Sequence, residues 1–189
     1  MRVITKAEFE ILKELFIKEL LDGKLIVHPT DTIYGFGCLA THDEAIKKLR
    51  KIKKLNQPFS VIVPSKKWIY ENCVVTKTAE EWIKKLPGPY TLILKLKNKN
   101  CVSPQVNLGK DTLGVRIPNH WISDFVSRLN TPLVSTAAVN TSGELILNYE
   151  ELDRIHHEEI HYFIEDDSML MRPSYVIDLT KDEPRFIRK

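Results

Sequence analysis

The chain has no long apolar run. No window approaches the roughly 20 consecutive apolar residues of a membrane-spanning helix, and the opening MRVITKAEFE meets charge before it reaches signal-peptide length. Neither a membrane protein nor an exported one is expected, and a cytoplasmic location is. Cysteine is scarce: Cys38, Cys73 and Cys101 are odd in number, far apart and without a CxxC pair. That excludes a disulfide framework and the usual zinc spacings and predicts reduced thiols. The sequence also lacks GxSxG, HExxH and any cysteine beside a histidine, so the familiar hydrolase chemistries have no carrier. Walker A is missing too, and a nucleotide would have to be held by another route. Charge of one sign is not in large excess, with 28 Lys and Arg against 25 Asp and Glu for a net +3. So mild a balance suits a phosphate-bearing small molecule at least as well as RNA.

What is present is enough for one core: 189 residues, 43% hydrophobic, with no repeat, low-complexity segment or linker, predict a single domain over 1–189. Thr5-Lys6-Ala7-Glu8 has the form of a capping box, and apolar residues then recur at helical spacing as far as Gly23, predicting a helix over 5–22. KLIVH, residues 24–28, reads as a strand stopped by Pro29 and leading into the loop PTDTIYGFG. Boxes at Thr41-His42-Asp43-Glu44 and Thr78-Ala79-Glu80-Glu81 open two further helices, the first running to about Lys54 and the second stopping before Pro87. Strands are expected at 59–63, 90–96, 112–117, 132–136, 161–164, 174–179 and 185–187, where β-branched residues gather. This alternation predicts an α/β fold, a mixed twisted sheet with helices packed on it.

Six basic residues fall within eight positions, Lys47, Lys48, Arg50, Lys51, Lys53 and Lys54. They form either a solvated helix face or, because the run ends beside a buried strand, a site for a triphosphate. In PTDTIYGFG, Thr30, Asp31 and Thr32 offer donors and acceptors, whether to a ligand or to their own backbone. A second polar loop, Ser135 to Gly143, also follows an apolar strand, and ligands of open α/β sheets gather where such loops converge. Arg116 lies inside the apolar strand TLGVRIP and needs an anion, either a carboxylate of this chain, with Asp178 a candidate, or a bound one. His156, His157 and His161 read as a surface helix end rather than a metal site, since adjacent histidines diverge on a helix.

KLIVHPTDTIYGFGC, the Lys51-Ile52-Lys53 pair, LPGPYTLILK, TLGVRIP and PLVSTAAVNTSGE resemble, in order and spacing, the motifs of the YrdC-like family. The resemblance covers residues 20–145 with a fainter echo beyond. It implies a YrdC-like twisted mixed sheet with flanking helices around a basic concave cavity. It also implies a nucleotidyltransferase that makes threonylcarbamoyl-AMP and pyrophosphate from L-threonine, bicarbonate and ATP, for tRNA threonylcarbamoyladenosine modification by a downstream transfer complex. Mg2+ would enter through the ATP phosphates. By resemblance Lys51 and Lys53 meet ATP, lysine replacing arginine at 53, together with Gln57, Thr112, Asn140, Ser142, Asn148 and Arg188. The threonine side is formed by Thr32, Tyr34, Arg116, Ser174 and position 138, where Ala138 replaces the serine of an SxN motif unless Ser135 or Thr136 substitutes. Ile62 and Tyr175 also depart from the family pattern. The alternatives are a YciO-like divergent paralogue and a non-catalytic module binding tRNA or double-stranded RNA.

Overall fold

A computed structural model describes residues 1–166 and 172–189. Its centre is a ten-stranded mixed sheet in the order β1-β8-β2-β3-β7-β4-β6-β5-β9-β10. The strands are β1 Arg2–Thr5, β2 Leu25–His28, β3 Gly35–Gly37, β4 Ser60–Ile62, β5 Tyr90–Lys95, β6 Thr112–Arg116, β7 Leu133–Ala137, β8 Ile160–Glu165, β9 Tyr175–Asp178 and β10 Arg185–Arg188. The principal helices are α1 Lys6–Ile11, α2 Lys13–Leu21, α3 Asp43–Lys53, α4 Lys66–Asn72, α5 Lys77–Lys84, α6 Pro104–Asn107, α7 Ile122–Leu129 and α8 Arg154–Glu159. The expected α/β architecture is present. Among the described residues no helix is long and apolar enough to cross a membrane.

Side chains alternate across each strand, and the alternation divides the core in two. Val27, Val61, Leu92 and Val115 face one way and pack with Ile46 and Leu49 of α3, Ile69 of α4 and Ile83 of α5. Ile4, Ile26, Ile62 and Leu133 face the other way and pack with Phe9 of α1, Phe16 and Leu20 of α2 and Phe125 of α7. Ile62 is therefore a fully buried core residue.

The capping box of Thr5 and Glu8 forms, but the single helix expected over 5–22 is two, separated at Leu12 (φ −99°, ψ 12°). The other two caps differ by a residue or two from the sequence reading. His42 rather than Thr41 caps α3, its Nδ1 accepting from the amide of Ala45 at 3.2 Å. Thr76 rather than Thr78 caps α5, its hydroxyl accepting from the amide of Ala79. In each case the side chain three residues before a free amide wins. Strands β1 and β3 are too short to show a period, and α4 and α7 lie in segments the sequence reading left without elements.

Candidate functional site

On the face covered by α1, α2 and α7 the helices stop short, and the sheet beyond them is lined with small or polar side chains. One row across five strands runs Ser135, Ser60, Gly114, Ile93, Asp178. The adjacent row runs Thr91, Val176, Arg188, while Arg116, opposite Ile62, ends β6 beside it. In TLGVR, Leu113 and Val115 go to the core while Thr112, Gly114 and Arg116 face the open side. A Cβ at Gly114 would sit 3.2 Å from Ser60 Oγ and 3.3 Å from Thr91 Cγ2, so the floor is kept low. The result is a cavity of about 1240 Å3, walled by the PTDT loop, the C-terminal end of α3 and the loop after β7.

Ten of the predicted site residues line this cavity: Thr32, Tyr34, Lys53, Gln57, Thr112, Arg116, Asn140, Ser142, Ser174 and Arg188. Lys51, Ala138 and Asn148 do not. Lys51 is exposed; residues two apart on a helix project about 200° from each other, so Lys51 and Lys53 do not share a direction. Ala138 is buried, its amide donating to Tyr34 O (2.9 Å) and its carbonyl accepting from Ile146 N (3.0 Å), while Ser135 and Thr136 reach the cavity. Asn148 instead caps a single 3-10 turn, Tyr149–Glu151.

The basic run of α3 is divided by its geometry into different jobs. Lys47 pairs with Glu44. Arg50 donates to four backbone carbonyls, those of Gln105, Val106, Gln57 and Leu55, and lies over the Phe59 ring. It is a structural clamp. Lys53 turns inward, its Nζ donating to Ala137 O at 2.6 Å, and burial pushes its pKa down to about 8. Lys54, the last of the basic run, and Lys110 also line the cavity; Lys110 was not singled out by sequence, since an isolated lysine carries no pattern that marks it.

Arg116 is 6% exposed. Its partner is Asp31, not Asp178: Nη2 donates to Asp31 Oδ1 at 2.8 Å and to Thr32 Oγ1 at 3.1 Å. Asp178 instead accepts from the amide of Thr180 at its own strand end. Burial lowers the Arg116 pKa, with Arg188 adding to the effect and Asp31 opposing it. Thr30 clamps the loop, accepting from the amides of Thr32 and Ile33 and donating to Ile33 O. The PTDT loop thus satisfies its own backbone through Thr30 and turns Asp31 and Thr32 to Arg116. Tyr34 OH donates to Asp166 O and accepts from Asp166 N.

At the far wall Arg188 Nε donates to Ser174 O (2.9 Å) and Nη2 to Ser174 Oγ (3.1 Å), and Ser174 Oγ meets Thr91 Oγ1 at 2.9 Å. Strand β10 is bulged: Phe186 pairs with Ile177 and Arg188 with Val176, leaving Ile187 as the extra residue. Regular pairing would put Arg188 opposite Tyr175, on the other face of the sheet; the bulge re-aims it into the cavity. In the second loop Asn140 Oδ1 accepts from the amides of Ser142 and Glu144, ordering the turn to Gly143 (φ 88°). His156 differs from the sequence reading. It is buried and stacked on Phe36, its Nδ1 accepting from the Asp153 amide.

Among the described residues the wall thus carries five cationic side chains, Lys53, Lys54, Lys110, Arg116 and Arg188, against one carboxylate, Asp178. A family model described as telomere recombination, that of the Sua5/YciO/YrdC domain, matches residues 18–189. A Methanocaldococcus jannaschii protein, provisionally named a threonylcarbamoyl-AMP synthase, is 31% identical over 98% of this chain and 89% of its own. The structure of P. abyssi Sua5 complexed with L-threonine superposes with a TM-score of 0.84 at 25% identity. That alignment takes in 100% of this chain but only 57% of the longer P. abyssi chain. E. coli YciO, at 24% identity, shares the fold with a TM-score of 0.83 over 95% of this chain and 89% of its own.

Proposed function

The chain belongs to the Sua5/YciO/YrdC family, and from that premise we propose that it is a threonylcarbamoyl-AMP synthase, joining L-threonine, bicarbonate and ATP. The observation that carries the reading is the buried, cavity-facing Arg116 with Lys53 and Arg188 on the wall of the same cavity. One guanidinium deep in the floor suits an amino-acid carboxylate, and cations along the walls suit a polyphosphate.

In this proposal bicarbonate yields carbon dioxide and hydroxide, and the neutral amine of threonine adds to the carbon dioxide, its N–H proton passing to that hydroxide to leave a carbamate and water. A carbamate oxygen then attacks the α-phosphorus of ATP; the P–O bond to the β-phosphate breaks and pyrophosphate leaves with that electron pair. No enzyme nucleophile is required, so the side chains act by position and charge. Arg116 and Thr32 hold the threonine end. Lys53 and Arg188 neutralise phosphate oxygens, Asn140 and Ser142 shape the loop beside them, and Thr112 and Gln57 complete the nucleotide wall. Magnesium enters as part of the nucleotide. Such an ion is held mainly by the nucleotide phosphates and by water rather than by a dedicated cage of side chains. The product would pass to a tRNA-modifying complex.

The test is pyrophosphate release from purified protein with ATP, magnesium, bicarbonate and L-threonine, against a control without threonine. Threonine-dependent release with threonylcarbamoyl-AMP detected by mass spectrometry is the expected result. Release no greater than the control, from protein that still binds ATP, would sink the reading and favour the divergent paralogue. In the same assay Arg116→Ala abolishes threonine dependence while ATP affinity stays within about threefold, because the arginine serves the amino acid and not the nucleotide.

A further inference from the structure

A buried arginine that is to receive a ligand must be held still without being used up. Arg116 meets both conditions. Its Nη2 carries two protons, and both are taken, by Asp31 Oδ1 at 2.8 Å and Thr32 Oγ1 at 3.1 Å. Its Nε is sealed in the protein and has no acceptor among the described residues, so the donors left for a ligand are those of Nη1, on a residue that lines the cavity.

Asp31 is held as firmly from its other side. Its Oδ2 accepts from the amide of Asn119 at 2.9 Å, three residues beyond Arg116. One carboxylate therefore ties the loop after β2 to the end of β6, with both side chains of the ion pair 7% exposed. Thr32 is anchored in turn by Thr30 Oγ1 at 2.9 Å. A charge pair so deeply buried gains little net stability from its attraction, because desolvation consumes most of it. Orientation is what the arrangement secures.

We propose that Asp31 is the positioning residue of the site: it fixes the plane of the Arg116 guanidinium through Nη2, so that the remaining donors meet the carboxylate of the amino-acid substrate. The assignment of that carboxylate rests on the function proposed above; the locking of Arg116 by Asp31 does not. It follows that removing the Asp31 charge, while keeping its shape, harms amino-acid binding selectively. A merely structural pair would instead weaken both substrates together or lower stability alone.

The test is NMR of 15N-arginine-labelled protein, with the Arg116 Nε–H signal identified by its loss in Arg116→Lys. In the wild type this proton is expected to exchange far more slowly than those of the exposed Arg2 and Arg154, and to shift when L-threonine is added. In Asp31→Asn the signal broadens or exchanges fast, the dissociation constant for L-threonine rises about tenfold or more, and that for ATP changes less than about twofold. A wild-type Arg116 proton that exchanges like the exposed arginines overturns the proposal without recourse to any variant. So does an Asp31→Asn protein with unchanged signal and unchanged threonine affinity. If Asp31→Asn frees Arg116 but threonine shifts nothing in the wild type, the positioning role stands and the threonine reading fails.

Discussion

Lys53 shows how much a single side chain owes to its surroundings. Sequence alone places it in a run of six cations; the fold sends it inward against Ala137 O and leaves Lys51 in solvent. Burial lowers its pKa to about 8, so it is charged at neutral pH and loses its proton as pH rises through that value. If it serves the ATP phosphates, ATP affinity falls between pH 7 and 9.5, and calorimetric titration at both values checks this. Lys53→Arg flattens the dependence, since a guanidinium stays protonated throughout. For folding the sign is opposite. The unfolded lysine holds its proton up to its ordinary value near 10.5, so this residue's contribution to stability rises with pH between about 8 and 10.5. Arg116 was legible as a buried charge in need of an anion. Its true partner was not, because Asp31 is 85 residues away and nothing local links the two.

At the scale of elements, α3 and β10 bring cations to the cavity by opposite means. Helix α3 is set by Arg50, whose guanidinium holds the loop carbonyls of Gln57 and Leu55 and those of Gln105 and Val106 of α6. Arg50→Ala strands these acceptors and is expected to destabilise the protein by roughly 2–3 kcal/mol, on the scale of lost hydrogen bonds to a charged group. Chemical denaturation measures it, and an unchanged midpoint would show the clamp to be incidental. Strand β10 works through irregularity: the extra residue Ile187 turns Arg188 to the cavity. The elements with a clear period or cap, such as β2, α3 and β5, were legible within a residue or two. A bulge has no such signature, nor has a three-residue strand like Gly35–Gly37, whose glycines admit His28. A Cβ on Gly37 would lie 2.8 Å from His28 Cδ2 and 3.1 Å from Val134 O, so Gly37→Ala is expected to cost about 1–3 kcal/mol by overpacking, readable as a lowered melting temperature.

For the whole molecule the buried groups fix how stability responds to acid. His28 is fully buried, and burial, with the charges of Arg116 and His120 nearby, pushes its pKa down to about 4 against the Pro29 carbonyl that opposes the shift. Unfolded, it titrates near 6.5; the unfolded chain therefore binds the extra proton first, and stability falls as pH drops below 6.5 and through 4. The drop corresponds to roughly 3 kcal/mol from this residue. Melting at pH 7 and pH 4.5 is expected to show the loss, and a His28→Gln variant, though less stable at pH 7, to lose less on acidification. The sequence by itself determined that the chain is α/β, that its strands alternate with capped helices, that two polar loops follow apolar strands, and that a buried arginine needs an anion. These follow from periodicity, cap chemistry and the cost of burying charge, all written within a few residues. Only the tertiary structure decided that Asp31 partners Arg116, that Lys53 and not Lys51 enters the cavity, and that Arg188 joins them. Register, a bulge and the angle of one helix set those outcomes, and each is a relation between segments far apart in the chain.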